Sequence, residues 1–200
     1  SDLVGSVCSY SRLPEALDFA GRDVGVKVDG TSGAFGYQVT VTNGPGHNRP
    51  DENDRKSMSG RLTYDLTSGL TLGGNLGLHD YVEAGESEYA MAWAADAQLG
   101  TWRDGFIVQA GLAGGDNWQS LDAQGAPGAF LAAQVTASVY RPLDGERLVG
   151  VEPVFRVSTA DPDDSVDSDG GLLLTPGLML YFSGKNRIGA NVDYYRPDTG

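Results

Sequence analysis

The chain is poor in cysteine, histidine and basic residues. Among 200 residues there is one cysteine, Cys8, and there are two histidines, His47 and His79. A single cysteine excludes an intrachain disulfide and a cysteine-based metal site. A lone thiol with both histidines far off in sequence is no signature of a cysteine nucleophile. Lys and Arg number 14 against 27 Asp and Glu, for a net charge of −13 and a pI near 4.3. Duplex nucleic acid is bound by clustered Lys and Arg, so it is excluded as a partner. The acidic balance predicts a solvated surface, or one that attracts cations. No apolar run reaches the roughly 18 residues of a spanning helix. The opening "SDLVGSVCSY" lacks the basic start and apolar centre of a secretory signal. A membrane stays open, because closed barrels cross with strands. There is no G-x-S-x-G, no P-loop and no G-x-G-x-x-G opening a helix. No enzyme activity and no cofactor are expected.

What the chain does have is glycine, at 29 residues, and a period-two alternation that recurs along its length. Ten strands are predicted from it. Their apolar faces carry Val24–Val28, Phe35–Val41, Leu62–Leu66, Leu70–Leu78, Tyr89–Leu99, Phe106–Leu112, Ala129–Val139, Val149–Val157, Leu172–Phe182 and Ile188–Tyr194 at alternate positions. No charge interrupts these faces. The opposite face holds Lys27, Gln38, Thr40, Asp65, Asn75, Glu88, Asp96, Gln98, Gln109, Gln134, Thr136, Glu152, Arg156, Asn191 and Asp193, with glycine and alanine between. Phe130, Leu173, Met179 and Tyr181 share that polar register. Short connections are predicted near 30–33, 67–69, 100–105, 141–146 and 183–186. Long polar ones are predicted near 43–57, 79–87, 113–128 and 158–171. Helix is confined to one short turn at 13–19, within a lead-in segment 1–20 that precedes the sheet at 21–200.

Two burial schemes fit the alternation. In a soluble β-sandwich the oily faces pack together. In a membrane barrel the oily face meets lipid and the polar face lines a lumen. The barrel is favoured on three grounds. Strands near nine to eleven residues match a tilted bilayer crossing. Aromatic residues gather towards strand ends, as at Tyr81, Tyr89, Trp102, Phe106, Tyr194 and Tyr195. The polar face holds Gly, Ala, Thr and Gln rather than the Lys and Glu of a solvated sheet. Against it stand Pro153 and Pro176 in the lipid-side register, each without a ladder donor. The fold class is therefore all-β, an antiparallel up-and-down transmembrane β-barrel. A ten-stranded outer-membrane enzyme and a soluble β-sandwich binding module are the alternatives.

Five stretches carry a resemblance: "GRDVGVKVDG" at 21–30, "YQVTVTNGPG" at 37–46, "RLTYDLTSGLTLGG" at 61–74, "VEPVFRVSTAD" at 151–161 and "YFSGKNRIGANVDYY" at 181–195. In order and spacing they resemble the phosphate-selective porin O and P family, over roughly 21–195. The resemblance implies a sixteen-stranded bacterial outer-membrane barrel, usually a homotrimer, with loops folded into the pore. These residues would be its C-terminal half or more, without the first strands and the last. It implies contact with membrane lipid and lipopolysaccharide, and passive diffusion of small hydrophilic solutes, including anions such as phosphate.

The expected pore-lining residues are Lys27, Arg61, Asp65, Glu88, Asp96, Glu152, Arg156, Arg187 and Asp193. Lys27, Arg61, Arg156 and Arg187 would attract anions. The facing carboxylates predict a transverse field rather than a clean anion filter. Glu152 and Arg156 are expected to brace the wall as an ion-pair network. The loop "DPDDSVDSDGG" at 161–171 is read as a mobile acidic loop. Its alternative is a Ca²⁺ site on Asp164, Asp167 and Asp169, without the twelve-residue loop and closing Glu of an EF-hand. His79 and Asp80 are neighbours on a strand and point to opposite faces, so no direct dyad is expected of them.

Overall fold

A computed structural model describes residues 24–43, 55–83, 85–122 and 125–198. Cys8, His47, the helical turn expected at 13–19 and the lead-in 1–20 lie outside these residues. The described chain forms one antiparallel up-and-down sheet of twelve strands: β1 Gly25–Ser32, β2 Phe35–Thr42, β3 Ser57–Thr67, β4 Leu70–Glu83, β5 Glu86–Thr101, β6 Asp104–Leu121, β7 Pro127–Val139, β8 Arg141–Pro142, β9 Leu148–Asp161, β10 Gly171–Phe182, β11 Arg187–Asn191 and β12 Tyr194–Pro197. There is no helix among the described residues. The sheet runs β1-β2-β3-β4-β5-β6-β7-β9-β10-β11 and is not closed.

Two prolines explain why ten predicted strands become twelve. The β7–β9 ladder ends at Ser138↔Val154 and resumes in the same register at Arg141↔Val151 as β8. Pro153 stands in that gap and has no N–H to give it. The β10 ladder to β11 ends at Gly177↔Asn191 and resumes in register at Leu174↔Tyr194 as β12. Pro176 fills that gap, and its carbonyl still accepts from Val192 N at 3.0 Å. Each split strand is one strand with one interrupted rung.

Two of the predicted long connections are strand instead. β4 and β5 pair down to Glu83↔Glu86. β6 pairs with β7 through Asn117↔Gly128, then shifts register to Leu121↔Pro127. Their polar lettering suggested loops, yet strand pairing satisfies their backbone and needs no apolar alternation at a rim. The connections at 43–56 and 162–170 remain long.

The faces are distributed opposite to those of a soluble sheet. Val26, Leu62 and Leu76 are 69, 66 and 64 % exposed, and Phe35, Val39, Met91, Phe106, Leu131, Phe155 and Ile188 share their exposed face. On the other face Glu152, Arg156 and Thr175 are at most 1 % exposed. That face is apolar near its two ends. Val154, Met179 and Tyr181 pack with Trp102, Tyr140 and Val149 towards the short turns. Ala92 and Phe130 pack with Ala113 and Trp118 towards the long connections.

Candidate functional site: a polar belt on the buried face

Strand register places one polar row along the buried face, beside the short turns in β3, β4 and β5 and at mid-strand in β9 and β10. Asp65 pairs with Thr71, Thr71 with Gln98, Gln98 with Gln109, Gln109 with Thr136, Thr136 with Arg156, and Arg156 with Thr175. Asp193 completes the row. Side chains bond along it. Thr71 Oγ1 donates to Asp65 Oδ1 at 2.6 Å, Gln109 Nε2 to Gln98 Oε1 at 2.9 Å, Arg156 Nη2 to Thr175 Oγ1 at 3.2 Å, and Thr175 Oγ1 to Asp193 Oδ1 at 2.6 Å. Opposed residues on one face of a sheet stand close enough to interact, which is what makes such a ladder. The row ends in exposed carboxylates on both sides, Asp65 and Asp193. Gln98, Gln109, Thr136 and Thr175 were not among the predicted site residues. Gln98, Gln109 and Thr136 belong to the predicted polar face, but only register shows that they align.

One rung away, Arg61 on β3 reaches over β4 to Asp96 on β5. Arg61 Nη1 donates to Asp96 Oδ2 at 2.6 Å and to Asn75 Oδ1 at 3.2 Å, and Nη2 donates to Asp96 Oδ1 at 2.8 Å. The crossing depends on Gly73. A Cβ there would stand 2.6 Å from both Arg61 Nη2 and Asp96 Oδ2. We expect Gly73→Val to break this bidentate pair and to cost about 1–3 kcal/mol from overpacking, read by chemical unfolding. An equal midpoint for Gly73→Val and the parent would contradict it.

Glu152 and Arg156 do not form the expected network through each other: no ion pair joins them among the described residues. Each is bonded by hydroxyls next to a proline gap. Glu152 accepts from Ser138 Oγ on β7 and from Tyr181 Oη on β10, both at 2.5 Å. These bonds tie β9 to both neighbours beside Pro153. Arg156, through Thr175 to Asp193, ties β9, β10 and the β11–β12 strand beside Pro176. Arg156 Nε and Nη1 have no hydrogen-bond partner among the described residues. The expected Glu152–Arg156 ion pair is thus replaced by two hydroxyl-mediated stitches.

The other predicted lining residues are more scattered. Lys27 Nζ lies 3.0 Å from Asp29 Oδ1, with both side chains exposed. Glu88 is exposed near the β4–β5 turn, paired with Tyr81. Arg187 is exposed on the edge strand β11, paired with Tyr181. His79 is buried, and its Nδ1 stands 3.4 Å from Ser57 Oγ, which accepts from Asp80 N at 2.9 Å. Trp118 lies against the His79 and Tyr81 rings, at 5.1 and 5.6 Å.

The acidic loop between β9 and β10 is docked rather than loose. Asp163, outside the predicted ligand set, is its anchor. Its carboxylate accepts from Ser120 Oγ, from Ser165 Oγ at 2.7 Å and from Ser165 N at 3.0 Å. Asn117 Nδ2 donates to Pro162 O at 2.7 Å, and Asp164 N to Ala129 O at 2.9 Å. Among the described residues no group of three His, Cys, Asp or Glu is placed to hold a metal ion, Asp164, Asp167 and Asp169 included.

Two carboxyls of this loop are displaced in opposite directions. The Ser120 hydroxyl, then Ser165, holds Asp163 below its ordinary value of 3.8. Burial, then the negative charge of Asp161, pushes Asp169 above it. Asp163 therefore contributes stability that is full above pH 3.8 and is lost as pH falls through its lowered value. Asp169 contributes stability that is full below pH 3.8 and is lost as pH rises through its raised value. Docking should be tightest near pH 3.8 and looser on either side. At neutral pH we expect Asp169→Asn to slow, and Asp163→Asn to speed, hydrogen exchange at the amides of Asp164 and Val166. Changes of the same sign in both variants would contradict this.

No protein-family model, no curated protein and no solved structure matches the chain.

Proposed function

We propose that this sheet is the wall of a bacterial outer-membrane porin, a passive diffusion channel for small hydrophilic solutes. The observation that carries the reading is the polar belt from Asp65 to Asp193 on one face, set against a face of exposed Val, Leu and Phe. An up-and-down sheet with apolar residues outward and a polar interior is the arrangement of outer-membrane barrels. Only a closed sheet leaves no unpaired edge in a bilayer. Among the described residues the sheet ends at β1 and β11, and further strands would pair there, in keeping with the sixteen-stranded, trimeric barrel that the sequence resembles. A barrel of that size leaves an aqueous channel. The lipid-facing side contacts acyl chains, and the long-connection rim contacts lipopolysaccharide.

Transport needs no chemistry from the wall beyond water, width and field. The cations expected to draw anions are largely engaged: Arg61 by Asp96, Lys27 beside Asp29, and Arg156 beneath the surface. Glu88, Asp65 and Asp193 are exposed. This balance supports a weakly selective pore over a phosphate-selective one. The test is conductance of the purified full-length protein in a planar bilayer. Stepwise ohmic channels with a small reversal potential in a salt gradient are expected. Absence of conductance from inserted protein would contradict the reading.

A further inference from the structure

The short turn between β5 and β6 bears an arginine in an unusual place. Arg103 has φ = 61°, the left-handed region that side chains other than glycine rarely adopt. Its guanidinium carbon lies over three aromatic rings, 5.6 Å from Trp102, 5.3 Å from Tyr140 and 4.8 Å from Tyr181. No carboxylate among the described residues lies within ion-pair distance of it. The positive charge is held by ring faces.

Two of the rings, Tyr140 and Tyr181, have contacts of their own besides Arg103. Tyr140 meets Tyr181 edge-on, with centroids 5.4 Å apart. Gly150 makes room for Tyr140, because a Cβ there would collide with the Tyr140 ring and hydroxyl. Tyr181 donates its hydroxyl to Glu152, which is 1 % exposed. A phenol that donates to a carboxylate has a more electron-rich ring, and a buried negative charge lies behind it. Ring faces grouped round one point are the arrangement that recognises guanidinium and quaternary ammonium groups. Arg103 itself is exposed, so its place can be taken from solvent.

We propose that Trp102, Tyr140 and Tyr181 form a binding site for organic cations, which Arg103 occupies from its own chain and which an alkylammonium or guanidinium solute competes to enter. The left-handed backbone at Arg103 suits glycine, so the occupant can be removed without straining the turn. The site would take a cation with little directional hydrogen bonding, because rings and not acceptors surround it.

Arg103→Gly empties the cage and suits φ = 61°. The probe is choline, with its neutral isostere 3,3-dimethylbutanol as control, followed by tryptophan fluorescence of the full-length protein in detergent micelles. Arg103→Gly should bind choline roughly tenfold more tightly than the parent, the size of one or two cation–π contacts. Arg103→Lys should return the affinity to the parent level, and Tyr140→Leu added to Arg103→Gly should remove the gain. The neutral isostere should not bind. Should the glycine variant not refold, Arg103→Gln also removes the charge and is read in the same way. Choline affinity unchanged by removal of the Arg103 charge, or equal binding of the neutral isostere, would overturn the proposal.

Discussion

Leu76→Arg should weaken folding into lipid vesicles by about 2–4 kcal/mol, the cost of an arginine on the lipid face near the bilayer midplane. Leu76 is 64 % exposed in the middle of β4, opposite Gly60 on β3 and Trp93 on β5. By solvent accounting it is a surface residue, and a surface substitution away from special features usually stays within about 0.5 kcal/mol. The two accounts of the same exposed leucine therefore differ several-fold in the expected cost. Urea titration of vesicle-reconstituted protein separates them. A Leu76→Arg protein as stable as its parent would place that face in water.

Glu152→Ala should be the most damaging change on the buried face, at about 2–4 kcal/mol. It leaves the Ser138 and Tyr181 hydroxyls without their acceptor, and each unsatisfied buried donor costs about 1–3 kcal/mol. Both residues are buried, which leaves water little chance to replace the carboxylate. The site also adjoins Pro153, where the β9 ladder already lacks a rung. Glu152→Gln keeps one acceptor oxygen and should cost about half as much. Equilibrium unfolding of both variants measures this. Equal stability of Glu152→Ala and the parent would show that the stitch does not hold the wall.

Much of this fold was legible from alternation alone. Each of the ten predicted strands is present, and exposed Val26, Leu62 and Leu76 fall on the predicted apolar face. Pro153 and Pro176 were visible as obstacles, but their effect was not. Alternation says which face a residue occupies, not which rung of the neighbouring strand it meets. Without the pairing Gly177↔Asn191 there is no reason to split the last strand at 192–193. The same limit hid the polar belt. Thr71, Gln98, Gln109 and Thr136 lie far apart in sequence and become one row only when three registers are known. Arg61 and Asp96 were both predicted to line the polar face, yet their pairing required Gly73 between them, a glycine with no signal of its own. Asp163 was passed over because in a run of aspartates nothing local distinguishes the one that docks. Arg103 could not be read as a cage occupant, because its rings come from β5–β6, β7–β8 and β10.

The central claim is that the exposed apolar face meets acyl chains. The most direct test uses tryptophans on opposite faces of the sheet. Trp93 lies on the exposed face and Trp102 packs against the buried cluster. Single-tryptophan versions of the full-length protein are reconstituted in vesicles whose acyl chains carry bromine, a contact quencher. The account predicts strong quenching of Trp93 and little quenching of Trp102. Trp93 unquenched by bromine at any depth, in a protein that stays folded without detergent, would contradict it.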